Sequence, residues 1–190
     1  MILRLFACIL TALVITGCGD PPNKEMDQAQ GAIDAARAAG ADRYAATEYT
    51  AATDALKRAQ DAVAQRDYRQ ALNEALDSRE HAQNAAREAA DSKAQVRGEV
   101  ERDMAQIAAL IAEANTRLAA ATKRRASRRV VDGPRNELAA VDDRVQKAGE
   151  AMKAGDYLSA RAALQGVRET IQQAMRALEP PASQSSRRKR

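Results

Sequence analysis

Tryptophan is absent from this chain, phenylalanine and histidine occur once each, and aromatic residues make up 3% of its 190 positions. Phe6 falls in an apolar leader, so Tyr44, Tyr49, Tyr68 and Tyr157 are the only aromatics left for a core. A core built mainly of alanine, with some Leu, Ile, Val and Met, buries little area per residue. At about 25 cal/mol per Å² it gains less than a leucine-rich core of equal length. Stability must then rest on the high helix propensity of alanine and on helices that approach closely. Cysteine is as scarce: Cys8 and Cys18 are the whole supply, which leaves no disulfide framework and no histidine–cysteine metal set. A glycine-rich phosphate loop is missing too. Charge of one sign is also lacking. The formal net charge is +4, but once Arg4 and the terminal Arg187, Arg188, Lys189 and Arg190 are set aside, 25 basic residues face 26 acidic ones. A basic field for nucleic acid is therefore excluded.

These absences bear on chemistry. His81 sits beside Arg79 and Glu80 and reads as part of a solvated helix face rather than as a ligand. Asp142 and Asp143 are consecutive on a helix, so they diverge and make a poor acid–base pair. No nucleophile stands near a plausible base. The expectation is a non-enzymatic protein with no cofactor and no metal. An enzyme would need a partner or cofactor to complete its site.

What is present begins with an address. Arg4 is followed by an apolar run over residues 5–15, then Ile15-Thr16-Gly17-Cys18, and polar sequence starts at Asp20. The run is too short and too poorly flanked to be a spanning helix and has the layout of an export signal. Its end resembles a lipoprotein box: an apolar residue, a small or polar one, glycine, then the cysteine that becomes the acylated N-terminus. An ordinary secretory signal with a stray cysteine is the alternative. Cys8 would leave almost no apolar region before it. Processing would leave a chain of 173 residues starting at Cys18, with no free thiol. Gly19 rather than aspartate follows Cys18, so nothing marks the chain for retention at the inner membrane. The periplasmic face of the outer membrane is the expected location.

The remainder is patterned as helix. Residues 1–17 read as signal and 18–23 as a tether that Pro21-Pro22 keeps out of a helix. Helices are expected over 24–39, stopped by Gly40, and over 45–66. A long helix from 68 to about 126 is interrupted only by Gly98. Residues 127–133 read as a break, with Pro134 in the first turn of a helix running to 154. The last helix spans 157–178 and ends at Pro180-Pro181, and the basic tail 180–190 reads as disordered. Within the long helix Val100, Met104, Ile107, Ile111, Ala114, Leu118 and Ala121 alternate by four and three, a heptad seam. Such a seam must be covered by the N-terminal helix, the last hairpin or another chain. Upstream the stripe is alanine, Ala75, Ala82, Ala86 and Ala89, which lets a partner helix come close.

Residues 46–89 laid on 135–178 without gaps are identical at 13 of 44 positions. The Asp67-Tyr68 turn meets Asp156-Tyr157, and Arg79-Glu80 meets Arg168-Glu169. The spacing predicts a duplicated antiparallel hairpin. In each copy the aspartate would accept from the orphan amides of the next helix, and the tyrosine would pack across the hairpin end with its hydroxyl in water. The chain accordingly divides into 24–126, a hairpin with the long helix, and 127–179, the second hairpin. The fold class is all-α: elongated, coiled-coil-like antiparallel hairpins around one long helix.

Ala39-Gly40-Ala41-Asp42-Arg43-Tyr44-Ala45, Glu48, and Arg66-Asp67-Tyr68-Arg69-Gln70-Ala71 resemble the envelope lipoprotein family known only as domain of unknown function 4398, over about residues 27–95. The resemblance implies a location and a helical hairpin, not an activity or a binding site. Some members add a peptidoglycan-binding domain. Leu158-Ser159-Ala160-Arg161-Ala162 is similar to one of that domain's helical motifs but has the wrong spacing.

Two basic clusters complete the inventory. Lys123, Arg124, Arg125, Arg128 and Arg129 gather around the end of the long helix, where cations suit its dipole. Arg187, Arg188, Lys189 and Arg190 close the chain. Either could hold an anionic envelope polymer or lipopolysaccharide, or simply be solvated. The reading that results is a lipid-anchored spacer or helical interaction scaffold, with a protein partner or self-association through its helices. An anionic-ligand module is the alternative. Loss of binding between low and physiological salt separates the two.

Overall fold

Pro22 sets where the first helix begins. Proline fixes its own φ and gives no amide, so the helix starts just after it, at α1, Asn23–Ala39. The first helical bond runs from the Met26 amide to the Pro22 carbonyl, 3.0 Å. This is the computed structural model of the chain, and it describes residues 20–179. The leader, Cys18, and the tail with Arg187, Arg188, Lys189 and Arg190 lie outside the described residues. Within them the expected tether is corrected: Pro22 is buried and Asn23 is already helical, because the proline packs on the body of the protein.

Gly40 ends α1 with φ 89°, a left-handed conformation in which glycine avoids the Cβ penalty. A one-turn helix that the sequence did not announce follows, α2, Ala41–Tyr44. The Tyr44 ring folds back to within 3.4 Å of where a β-carbon on Gly40 would lie. Next come α3, Ala46–Ala64, and the 56-residue α4, Tyr68–Lys123, which is helical through Gly98. After these stand α5, Arg128–Lys153, α6, Tyr157–Leu164, and α7, Val167–Ala177. The protein is all-α, with one long helix.

Two expectations are corrected here. Residues 127–133 are not a break: α5 starts at Arg128, and Pro134 stands inside it. Val131 and Pro134 are both buried, so packing outweighs local preference. Pro134 leaves the Val130 carbonyl without its helical donor, at an exposed residue that water can reach. The helix expected over 157–178 is interrupted. Gln165 is extended and Gly166 has φ 76°, splitting it into α6 and α7. The Arg144 guanidinium covers the freed carbonyls, donating to Ala163 O at 3.1 Å and to Gln165 O.

The chain forms two compact units that meet at Ser92 and Lys93. In unit 1, α1 packs antiparallel to α3 and parallel to the first part of α4. Arg37 meets Tyr49, Gln28 meets Arg79, and Ser78 meets Ala52. Its core is nearly all alanine, with Ala29, Ile33, Ala52, Leu56 and Ala82 in one cluster and Ala36, Ala41, Ala45, Ala85 and Ala89 in another. The stripe on α4 is broader than expected. Ala71, Ala75, Ser78, Ala82, Ala85 and Ala89 are fully buried, while Ala86 is half-buried. Ser78 fits because it is hardly larger than alanine, and its hydroxyl donates to Ala52 O at 2.8 Å.

In unit 2 the rest of α4 packs antiparallel to α5, and α6 and α7 return along it. Val100, Ile107, Ala114 and Ala121 of the heptad seam are buried and Met104, Ile111 and Leu118 half-buried. The cover comes from α5–α7. Ala121 joins Val131 and Leu178, and a β-carbon on Gly149 would lie 3.9 Å from Met104 Cε. Asp103 meets Arg168 at 2.9 Å.

Both hairpin turns are built alike. At the first, the amides of Gln65, Arg66 and Asp67 donate to the carbonyls of Asp61, Val63 and Ala62. At the second, Ala154, Gly155 and Asp156 donate to Glu150, Met152 and Ala151, the same pattern 89 residues on. Arg66 and Gly155 take the left-handed position, φ 62° and 74°. The Asp67 carboxylate accepts from the Gln70 amide at 2.9 Å, and that of Asp156 from the Ser159 amide at 3.2 Å and its hydroxyl at 2.7 Å. Tyr68 and Tyr157 are half-buried.

Candidate functional site

The turn between α4 and α5 gathers the first basic cluster. Lys123 is the last residue of α4, and Arg125 takes the left-handed position with φ 53°. Arg128 and Arg129 open α5, whose first turn has no acidic residue and whose N-cap Ser127 makes no side-chain bond. Two guanidinium groups thus sit at the positive end of a helix dipole, an arrangement that costs a few tenths of a kcal/mol. All five cations are exposed. Arg124 donates to the Leu178 carbonyl at 3.2 Å, while Lys123, Arg125, Arg128 and Arg129 form no ion pair among the described residues. Beside them is a cavity of about 270 Å³ lined by Arg124, Ala126, Ser127, Val130, Ala177 and Leu178, among others. Glu179, the last described residue, bonds Arg117 at 3.1 Å, so the basic tail leaves the body next to this cluster. The Arg117 guanidinium is held above its ordinary value by its hydrogen bond to Glu113, with Glu179 adding to it.

A second cavity, about 490 Å³, opens where α6 breaks, lined by Asp103, Leu158, Arg161, Ala162, Leu164 and Gln165. Its charges are spent on each other: Arg161 faces Glu99 at 3.7 Å and Arg168 faces Asp103 at 2.9 Å. Nothing there is left to hold an ion of either sign. The Tyr157 turn adjoins this region. The Arg97 guanidinium, raised chiefly by its hydrogen bond to Glu101 and that residue's charge, also feels Tyr157.

Unit 1 carries polar contacts that residue spacing did not reveal. Arg37 donates to the Tyr49 hydroxyl at 2.7 Å, and that bond, followed by the nearby charge of Tyr49, raises the Arg37 guanidinium. His81 is corrected from a solvated face to a half-buried contact, its Nδ1 2.8 Å from Glu48 Oε2. Two helices had to be paired before that contact could be read. The Tyr44 hydroxyl is buried without a hydrogen-bond partner among the described residues. No three His, Cys, Asp or Glu side chains among the described residues are placed to hold a metal. No described helix is long and apolar enough to cross a membrane.

The motifs around Gly40–Tyr44 and Arg66–Ala71 are therefore structural. The first closes α1 onto α3 and the second turns α3 into α4. Searches of curated proteins and of solved structures give no match. A family description does match, domain of unknown function (DUF4398), over residues 24–99, which covers α1, α2, α3 and the first part of α4. Through that segment, the chain belongs to the DUF4398 family.

Proposed function

We propose that this protein is a non-enzymatic lipoprotein of the bacterial envelope, held by acylated Cys18 at the periplasmic face of the outer membrane and acting as a spacer or helical interaction scaffold. The observation that carries this reading is α4, a single 56-residue helix that supplies one member of both three-helix units. Both units cover their apolar stripes internally and spend the charges of their largest cavity on ion pairs. That leaves exposed helix faces, rather than a pocket, for partners. The lipid anchor rests on Ile15-Thr16-Gly17-Cys18, and two or more acyl chains would give stable attachment. The matching turns at Arg66 and Gly155 support a further element, that the two hairpins are copies of one ancestor.

Crosslinking in the cell envelope tests the reading, with wild type beside Cys18→Ala. Capture of a specific protein by α4, lost in the variant, is the expected result. Capture of lipopolysaccharide or cell-wall polymer alone would replace the scaffold with an anionic-ligand module. One observation favours that second reading: four cations at the α4–α5 turn are exposed and without ion pairs, beside the start of a tail with four more. Replacing Lys123, Arg125, Arg128 and Arg129 by glutamine would then abolish binding of lipopolysaccharide at low salt. Wild-type binding would itself collapse near physiological ionic strength, where the screening length is about 8 Å.

A further inference from the structure

Unit 1 is a three-helix bundle at one end and only two helices at the other. Gln28 lies level with Arg79, at 2.7 Å, and Ala29 shares a cluster with Ala82. Counting back along parallel helices puts Asn23, the first residue of α1, level with residues 74–76 of α4. Yet α4 begins at Tyr68, so its first turns run on past the start of α1.

The face of α4 exposed there is known from its neighbours. Glu74, Ser78 and His81 reach α3, at Arg58, Ala52 and Glu48. Leu72, Leu76 and Arg79 lie on the adjoining flank by helical periodicity, and Arg79 is the residue that reaches α1. Leu72 and Leu76 therefore point to where α1 would be if it started two turns earlier. They are 36% and 37% exposed, and with Val130 they are the large hydrophobics that the described residues leave in water. Across the gap, Val63 of α3 continues the row of Tyr49 and Leu56 that faces α1, and it is half-buried.

The chain itself enters at this gap. Pro22 is buried and Pro21 half-buried, so no free linker separates the body from residue 20. Residue 18 is two positions further back, within about 7 Å of Asp20 at about 3.5 Å per residue. An acyl group on that residue is delivered beside Leu72 and Leu76. We propose that this open end of unit 1 docks on the lipid surface in which residue 18 is anchored, with Leu72 and Leu76 as a second apolar contact beside the acyl chains. The proposal rests on the lipid-anchor reading given above. The hairpin turn at Gln65, Arg66 and Asp67 then faces the bilayer, and the contact is apolar and insensitive to salt.

The absence of tryptophan makes the test clean. The full chain is expressed with its leader, purified from membranes and reconstituted in phosphatidylcholine–phosphatidylglycerol vesicles carrying brominated acyl chains. Leu72→Trp and Leu76→Trp are compared with Glu88→Trp, an exposed site at the far end of unit 1. Circular dichroism checks that helicity is unchanged. Expected is blue-shifted emission from the first two that loses most of its intensity with brominated lipid, while Glu88→Trp is unaffected. A blue shift without quenching means that protein covers the gap, and it overturns the proposal. Equal quenching at all three sites overturns it as well, since the contact would not be selective. The mass of the N-terminal peptide separates the two readings. Acylated Cys18 with unquenched Leu72→Trp refutes the docking alone, whereas an unmodified Cys18 refutes the anchor and the docking together.

Discussion

Arg66 and Gly155 occupy the same left-handed position in two turns with the same hydrogen bonds, φ 62° and 74°. Exchanging the residue types should move stability in opposite directions. An L-residue pays about 1–2 kcal/mol in that conformation. Arg66→Gly removes this strain but gives the unfolded chain more freedom, which returns about 0.5–1 kcal/mol. The Arg66 side chain is exposed, so little packing is lost. The net effect is a gain of about 0.5–1 kcal/mol. Gly155→Ala runs the other way. No atom lies within 4 Å of its would-be β-carbon, so the penalty is backbone strain alone, about 1 kcal/mol. For a unit of under a hundred residues, such changes shift the midpoint by about 3–6 °C, upward for Arg66→Gly and downward for Gly155→Ala. Thermal melts followed by far-ultraviolet circular dichroism read this directly. If Arg66→Gly lowers the midpoint, or Gly155→Ala leaves it unchanged, the equivalence of the two turns is wrong.

Ser78→Ala should cost about 1 kcal/mol for the lost bond to Ala52, whereas Ser78→Leu should cost about 1–3 kcal/mol by overpacking; urea titration compares them. Ile107→Ala should cost about 2–5 kcal/mol, and amide exchange should quicken in residues 93–179 more than in 20–92. Arg144→Met uncovers the carbonyls of Ala163 and Gln165, and exchange at 163–168 should rise with little change elsewhere.

Helix content, the stop at Gly40, the position of both hairpin turns and the need to cover the 100–121 seam were legible in the sequence. Each depends on local chemistry or on one helix's period. The start of α5 was not, because Val130, Val131, Gly133 and Pro134 all argue against helix, and only burial of Val131 and Pro134 reverses that. The split between α6 and α7 was hidden for a related reason. Gln165 and Gly166 align with Leu76 and Asp77, where α4 continues, and a lone glycine in a helical pattern is commonly tolerated. Glu48 and His81, or Leu72 and Leu76, acquire meaning only once it is known which helices are neighbours and where α1 begins.

The alanine interior of unit 1 has a consequence for how the protein can be probed and how it can drift. A leucine core weakens when side chains are trimmed. At Ala29, Ala36, Ala52 or Ala82 almost nothing remains to trim, and every replacement except glycine intrudes. Alanine scanning would report no core over most of unit 1, while the same scan through Val100, Ile107 and Ile171 would light up unit 2. The informative experiment for the first half is enlargement, one methyl at a time. Inheritance should treat the halves differently as well, with unit 2 tolerating exchanges among aliphatic side chains and unit 1 admitting few changes between its helices.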